Sequence, residues 1–284
     1  MERDVLLGDV RVRVAITGPR DGPLALCLHG FPDSPFTFRH LAPRLVERGY
    51  RVATPWLRGY APSSTSRSNN YRLSALASDA NELHQRLGGD QRALIVGHDW
   101  GAAIAYGACA LEPSYWKKCV AMAVPPVQVF APALFRFGQA RRSWYMWFFH
   151  NPLADGVVAA DEFNFLTELW KSWSPRYDPS EDLVHVRRAL DTSESLGAAL
   201  AYYRSMFLPA DDDGVFSAAL ARRATVPTLY LHGEEDGCIG VEVVDRVEEH
   251  LAANSRVAVL PHVGHFAHLE APDTLWREVD SFLA

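Results

Sequence analysis

The stretch "ALIVGHDWGAAIAYG" (Ala93 to Gly107) sets an acidic residue, Asp99, between Gly97 and Gly101, directly after an apolar run. The apolar residues read as a short buried strand, and the Gly-Ala-Ala run from Gly101 as the start of a closely packed helix. Gly-X-nucleophile-X-Gly between strand and helix is the nucleophile elbow: small residues let the chain turn sharply, and the central side chain stands above the sheet's carboxyl edge. An Asp opening a helix also caps its unpaired N–H groups, but a cap alone imposes no glycine on both sides.

Working outward, "LALCLHG" (Leu24 to Gly30) and "RALIVG" (Arg92 to Gly97) are short apolar runs typical of buried parallel strands. "VRVRVAI" (Val10 to Ile16) alternates with period two, as a half-exposed edge or hairpin strand does. The segments "FRHLAPRLVERG", "LSALASDANELHQRLGG" and "GAAIAYGACALEP" read as helices ending near Gly or Pro. This alternation predicts an α/β protein with a mostly parallel, doubly wound sheet. The rhythm stops after "CVAMAVPP" (Cys119 to Pro126) and returns at "VPTLYLHG" (Val226 to Gly233), followed by a helix, the strand "SRVAVLP" and a last helix from "APDTLWREVDSFL". The intervening residues, helical in pattern and rich in Trp, Phe and Tyr, are too many for a loop. The expectation is a helical cap (lid), 127–224, inserted into a core formed by 1–126 and 225–284.

A chain of 284 residues can bury roughly three quarters of its unfolded surface without metals or disulfides. Hydrophobic residues at 48%, charged residues at 22% and a net charge of -6 leave no basic face for nucleic acid. The charged start "MERDVLLGDVRVRV" and the proline-broken run "CVAMAVPPVQVFAPALF" argue against a secretion signal and a membrane span, so a cytoplasmic protein is expected. Cys27, Cys109, Cys119 and Cys238 show no CxxC spacing and lie mostly in apolar segments, which points to neither a disulfide frame nor a metal site.

A carboxylate, with an ordinary pKa near ~3.9, is already anionic at neutral pH and needs no base to act as a nucleophile. Asp99 is therefore suited to displacement at saturated carbon, and the resulting alkyl ester must be cleaved by water with a general base. "PHVGHFAHLEAP" offers His262, His265 and His268; only His265 follows a glycine and begins a run from Gly264 through Glu270 to Pro272, so it is the expected base. "LYLHGEEDGCIG" supplies Glu234, Glu235 and Asp236, of which Asp236, in an Asp-Gly turn past His232, is expected to orient the imidazole. The order nucleophile, acid, histidine is that of the elbow fold. In "LCLHGFPDS", His29, Gly30, Phe31 and Pro32 sit at another strand end, where the Phe31 N–H, with that of Trp100, would form an oxyanion hole.

Together "HGFPDS", "RGYAPSS", "VGHDWGA", "HGEED" and "VGHFAHLEAP" resemble the α/β-hydrolase superfamily, and within it the soluble epoxide hydrolases, over nearly the whole chain. The resemblance implies Asp99 as nucleophile, Asp236 and His265 as the acid–base pair, Phe31 and Trp100 as backbone oxyanion donors, and no cofactor. It implies a small apolar epoxide and water as substrates and a vicinal diol as product. It also implies two cap tyrosines that hold the epoxide oxygen: Tyr145 in "WYMWFFHNP" and Tyr203 in "LAYYRSM", with Tyr202 as a competing candidate. At helical spacing Tyr203 shares a stripe with Leu196, Leu200 and Phe207, while Tyr202 is turned about 100° away. The chain departs from the family at Ala61-Pro62, where many relatives have a glycine, and at Met146, where some have a polar residue.

Haloalkane dehalogenases share the Asp elbow, but their halide commonly needs a second side-chain donor, and Phe31 offers none at that position. Fluoroacetate dehalogenases bind a carboxylate with arginines just past the nucleophile, where this chain has Trp100, Gly101, Ala102 and Ala103. A ligand-binding protein that kept the fold and lost turnover is the remaining alternative.

Overall fold

The computed structural model describes residues 1–209 and 214–284. Its strands are β1 (Glu2–Leu7), β2 (Val10–Thr17), β3 (Leu24–Leu28), β4 (Arg51–Pro55), β5 (Ala93–His98), β6 (Trp116–Met122), β7 (Thr228–Gly233) and β8 (Arg256–Leu260). They form one sheet in the order β1-β2-β4-β3-β5-β6-β7-β8. β1 and β2 form an antiparallel hairpin that pairs antiparallel with β4; from β4 to β8 every pairing is parallel. The chain thus has the α/β-hydrolase fold.

β3, β5 and β7 are buried at every position because both faces of the sheet are covered. Ala25, Cys27, Leu94, Val96, Val120 and Leu229 point to one face, where they meet α1 (Leu41–Glu47) and α12 (Pro272–Leu283) through Leu41, Leu45, Leu275 and Val279. Leu24, Leu26, Leu28, Ile95 and Ala121 point to the other, which is covered by α2 (Leu73–Arg86) and α3 (Trp100–Leu111). The period of two along each strand delivers alternate residues to the two cores.

Between β6 and β7 the described residues form α4 (Val127–Leu134), α5 (Phe137–Arg142), α6 (Trp144–Phe148), α7 (Ala154–Trp173, broken at Ala160–Phe163), α8 (Ser180–Ala189), α9 (Ser193–Ser205) and α10 (Val215–Ala221). These helices are tied to the loops past the strand ends. The Trp170 indole N–H donates to the Pro32 carbonyl (2.9 Å), and its ring stacks on Phe266 at 3.5 Å. The Tyr202 hydroxyl donates to the Arg58 carbonyl (2.8 Å). The carbonyl of Trp173, at the end of α7, accepts the N–H groups of both Gly237 and His265 (3.1 Å each).

One expectation changes. The segment after β7 is not an α-helix but two 3₁₀ turns, Val241–Arg246 and Glu248–His250. Val243, Val247 and Leu251 are buried at helical spacing, which is the pattern that reads as a helix. However, β-branched Val at 241, 243, 244 and 247 weakens α-helix. β2 takes the hairpin placement that its alternation allowed, paired with β1, which occupies the sheet edge.

At the β5–α3 turn the two glycines answer a packing demand. A Cβ on Gly101 would overlap the Leu28 carbonyl oxygen of β3, and one on Gly97 would overlap the Gly101 carbonyl. Gly101→Ala is therefore expected to destabilise the fold by about 1–3 kcal/mol, read as a lower urea midpoint; an unchanged midpoint would contradict this packing.

Candidate active site

Four loops at the carboxyl edge of the parallel strands deliver the site, the usual place for ligands in an open α/β sheet. Phe31 follows β3, Asp99 follows β5, Asp236 follows β7 and His265 follows β8.

Asp99 has φ 54 and ψ -119, a conformation with positive φ that side-chain-bearing residues seldom adopt. This strain aims the carboxylate out of the turn and over the strand ends. Its Oδ1 accepts the Phe31 N–H at 2.8 Å, and its Oδ2 lies 3.6 Å from His265 Nε2. Trp100 opens α3, so its N–H belongs to the first turn, whose donors have no partner within the helix. The two oxygens of Asp99 are thus distinguished: one is held by a backbone donor and the other faces the imidazole.

His265 is buried and gripped from three sides. Its N–H donates to Trp173, its carbonyl accepts from His98 Nε2 (3.0 Å), and its Nδ1–H donates to Asp236 Oδ2 at 2.8 Å. The other oxygen of Asp236 accepts the N–H groups of Cys238 (2.7 Å) and Ile239 (2.9 Å). With Nδ1 committed, Nε2 points at Asp99 and has no hydrogen-bond partner among the described residues.

Burial alone would lower the His265 pKa, but the Asp236 carboxylate, with Asp99 adding to it, outweighs burial and raises it to about 10. Burial likewise works to raise Asp236, yet the charge and hydrogen bond of His265 leave it below its ordinary value. The two shifts agree on an imidazolium held by carboxylates.

The competing residues lie elsewhere. His262 is exposed beside Glu235, which also pairs with Arg176, and Glu234 accepts the His262 N–H. His268 is buried against Thr37 and His98, on the far side from Asp99's cavity. A cavity of about 550 Å³ opens onto Asp99, with Trp100, Phe130, Met146, Tyr203 and Ile239 among its mostly apolar walls.

The tyrosines separate cleanly. Tyr202 is committed to the Arg58 carbonyl, whereas the buried Tyr203 hydroxyl has no partner among the described residues. Burial first, then the Asp99 charge, push the Tyr203 phenol well above its usual pKa, so it is held neutral as a donor. Phe207, expected on the Tyr203 stripe, lies past the end of α9 and stacks instead on Trp147 at 4.7 Å. The Tyr145 ring is 5.6 Å from that of Tyr203. Its hydroxyl meets Cys238 Sγ at 3.3 Å and does not reach the cavity wall.

Cys238 is the residue that sequence reading passed over. In the sequence it reads as a small hydrophobe, yet its sulfur lies within 4.8 Å of ligand atoms on both Asp99 and His265. Its position two residues past Asp236 in the same loop was the available signal. All four cysteines are free and buried. Asp33, His98 and His268 form a second buried polar cluster behind the imidazole, also unread in the sequence.

An elbow carboxylate facing an acid-oriented histidine at the edge of this sheet defines an α/β hydrolase. The chain belongs to the α/β hydrolase fold family, whose pattern it matches over residues 23–272. It is similar to AB hydrolase superfamily protein YfhM of Bacillus subtilis (strain 168), at 27% identity over 93% of this chain and 91% of that protein. Epoxide hydrolase A of Mycobacterium tuberculosis (strain ATCC 25618 / H37Rv) is 26% identical over 99% of this chain and 97% of its own. A solved structure from work on novel epoxide hydrolases of the α/β hydrolase superfamily in metagenomes from hot environments superimposes with a TM-score of 0.85 at 27% identity, covering 100% of this chain and 98% of the other. The protein is thus an epoxide hydrolase-like α/β hydrolase. No helix among the described residues is long and apolar enough to cross a membrane.

The His265 environment has a measurable consequence. In the ligand-free protein the imidazole is expected to titrate far above the ordinary 6.5, near 10, and Asp236→Asn should lower that value, both read by NMR of the ring. Because the folded value is raised, the charge contributes stability that is complete below about 6.5 and lost as pH rises through about 10. Titration of the wild-type ring near 6.5 would contradict the coupling.

Proposed function

We propose that the protein is an epoxide hydrolase that converts an apolar epoxide and water to a vicinal diol through a covalent ester on Asp99. The observation that carries this reading is the asymmetric setting of the Asp99 carboxylate: Oδ1 on the Phe31 N–H at 2.8 Å, Oδ2 facing His265 Nε2 at 3.6 Å, with the Tyr203 hydroxyl unpartnered nearby.

On this reading the helical segment 127–224 acts as a cap over the strand ends. The epoxide enters the cavity, and its oxygen takes hydrogen bonds from Tyr203 and Tyr145. Tyr145 turns from Cys238 to do so. Asp99 Oδ2 attacks a ring carbon from the opposite side, the carbon–oxygen bond breaks, and the phenols supply the proton to the leaving alkoxide. Neutral phenols suit this role, because a group whose pKa burial has raised holds its proton until a stronger base forms.

Ester formation also prepares the second step. It removes the negative charge of Asp99, one of the groups that hold the His265 pKa up. The imidazolium then passes its proton to the phenolate left by the first step and becomes a neutral base. His265, oriented by Asp236, takes a proton from water, which attacks the ester carbonyl carbon. Oδ1 becomes the oxyanion and keeps the Phe31 N–H it already accepts, with the first-turn N–H of Trp100 as the second donor assigned to it. Collapse of this intermediate expels the diol oxygen, which takes the proton from His265, and the Asp99 carboxyl then returns its own proton to the imidazole, restoring the resting carboxylate and imidazolium.

The test uses terminal and aryl epoxides beside bromoalkanes and fluoroacetate, with diol and free halide assayed separately. Diol from the epoxides is expected; halide release without diol, or no turnover on the whole panel, would overturn the reading. Asp99→Ala should abolish turnover, while His265→Gln should accumulate a protein heavier by the mass of the epoxide on intact-protein mass spectrometry. Failure to find that adduct while the wild type turns over would exclude a stable ester. Tyr203→Phe should slow the first step by about 10²-fold and Tyr202→Phe far less; equal losses would remove Tyr203 from its assigned place.

A further inference from the structure

Cys238 places a sulfur where the proposed reaction needs none. Its Sγ, a carboxylate oxygen of Asp99 and a ring nitrogen of His265 all lie within 4.8 Å of one another. All three residues are at least nine-tenths buried, and His265 Nε2 has no hydrogen-bond partner among the described residues. The thiol cannot drift away. The Cys238 N–H is fixed on Asp236 at 2.7 Å, and its sulfur is held on the other side by the Tyr145 hydroxyl at 3.3 Å.

Sulfur, imidazole nitrogen and carboxylate oxygen form a donor set for a borderline or soft divalent cation, and a poor one for the oxygen-seeking magnesium and calcium. A tetrahedral zinc ion holds such ligands about 2.0–2.3 Å away. The Asp99–His265 pair already stands at 3.6 Å, so the three donors need close by only about an ångström. The cavity that reaches Asp99 supplies an entry route and room for a fourth ligand, water.

We propose that Asp99, Cys238 and His265 form a binding site for a thiophilic divalent cation of the zinc and cadmium type, and that occupancy switches the enzyme off. Binding displaces the thiol proton of Cys238 and the proton on His265 Nε2 into solvent, because both ligate in the deprotonated form. The ion then occupies the oxygen that would attack substrate and the lone pair that would take the proton from water. The inhibitory half of this proposal rests on the function proposed above; the binding half does not.

The experiment reads the two halves separately. Binding is measured on the full chain with cadmium chloride, by equilibrium dialysis and by the thiolate-to-cadmium charge-transfer band in the ultraviolet. One cadmium per chain and a clear band are expected. Cys238→Ser should lose the band and weaken binding more than ~100-fold, beyond the effect of removing a group that merely orients a ligand. A band that survives in Cys238→Ser places the metal on another thiol, such as Cys109 or Cys119, and overturns the site; so does the absence of binding by a folded wild type. Cys238→Ala serves as the second variant should the serine variant fold poorly.

Inhibition is measured as diol formation with zinc chloride added and then removed by a chelator. Loss of more than ~10²-fold of turnover, restored by the chelator, is expected. Cadmium bound at Cys238 with turnover unchanged would overturn the switch. A chain that binds cadmium through Cys238 but hydrolyses no epoxide would instead overturn the functional reading and leave the metal site standing.

Discussion

The Asp99 carboxylate sits at the end of a strand with positive φ, one oxygen on the Phe31 N–H and the other facing His265. Such a backbone conformation costs about 1–3 kcal/mol and persists only where the surroundings over-determine it. Here they do. β5 is the middle partner of two parallel strands, Gly97 and Gly101 let α3 start against the Leu28 carbonyl, and small residues bring α3 onto the sheet. The strain holds the carboxylate clear of its own helix, over the edge where three other strand ends deliver Phe31, Asp236 and His265.

The helices between β6 and β7 also hold the loops of the site together. The carbonyl of Trp173 accepts the N–H of His265 and of Gly237, beside Asp236, so one helix end ties the base loop to the acid loop. Trp170 grips the Phe31 loop through the Pro32 carbonyl and stacks on Phe266. Movement of α7 relative to the sheet would therefore disturb His265 and the Phe31 loop together.

Much of this was legible in the sequence because it rests on local rules. Apolar runs bounded by glycine marked β3, β5 and β7, and the glycine-flanked Asp99 marked the elbow. β4 went unread because "RVATP" is short and has neither alternation nor a long apolar run. The segment 241–250 reads as a helix because its buried residues keep helical spacing, but its β-branched valines weaken α-helix and it forms two 3₁₀ turns. Tyr202 and Tyr203 differ by a tertiary contact that no local pattern shows: the Tyr202 hydroxyl donates to the Arg58 carbonyl, while the Tyr203 hydroxyl has no partner among the described residues. For Cys238 the only local signal is its place two residues past Asp236, because its sulfur meets Asp99, His265 and Tyr145 through three separate elements.

The central claim is that Asp99 bonds to the substrate and that water attacks the resulting ester, not the epoxide. The most direct measurement is a single turnover with enzyme in excess over an epoxide substrate in heavy-oxygen water, followed by mass spectrometry of the diol and of the peptide containing Asp99. The account predicts label in the Asp99 carboxylate and none in the diol of that first turnover. Label passing straight into the diol, with Asp99 unlabelled, would contradict it.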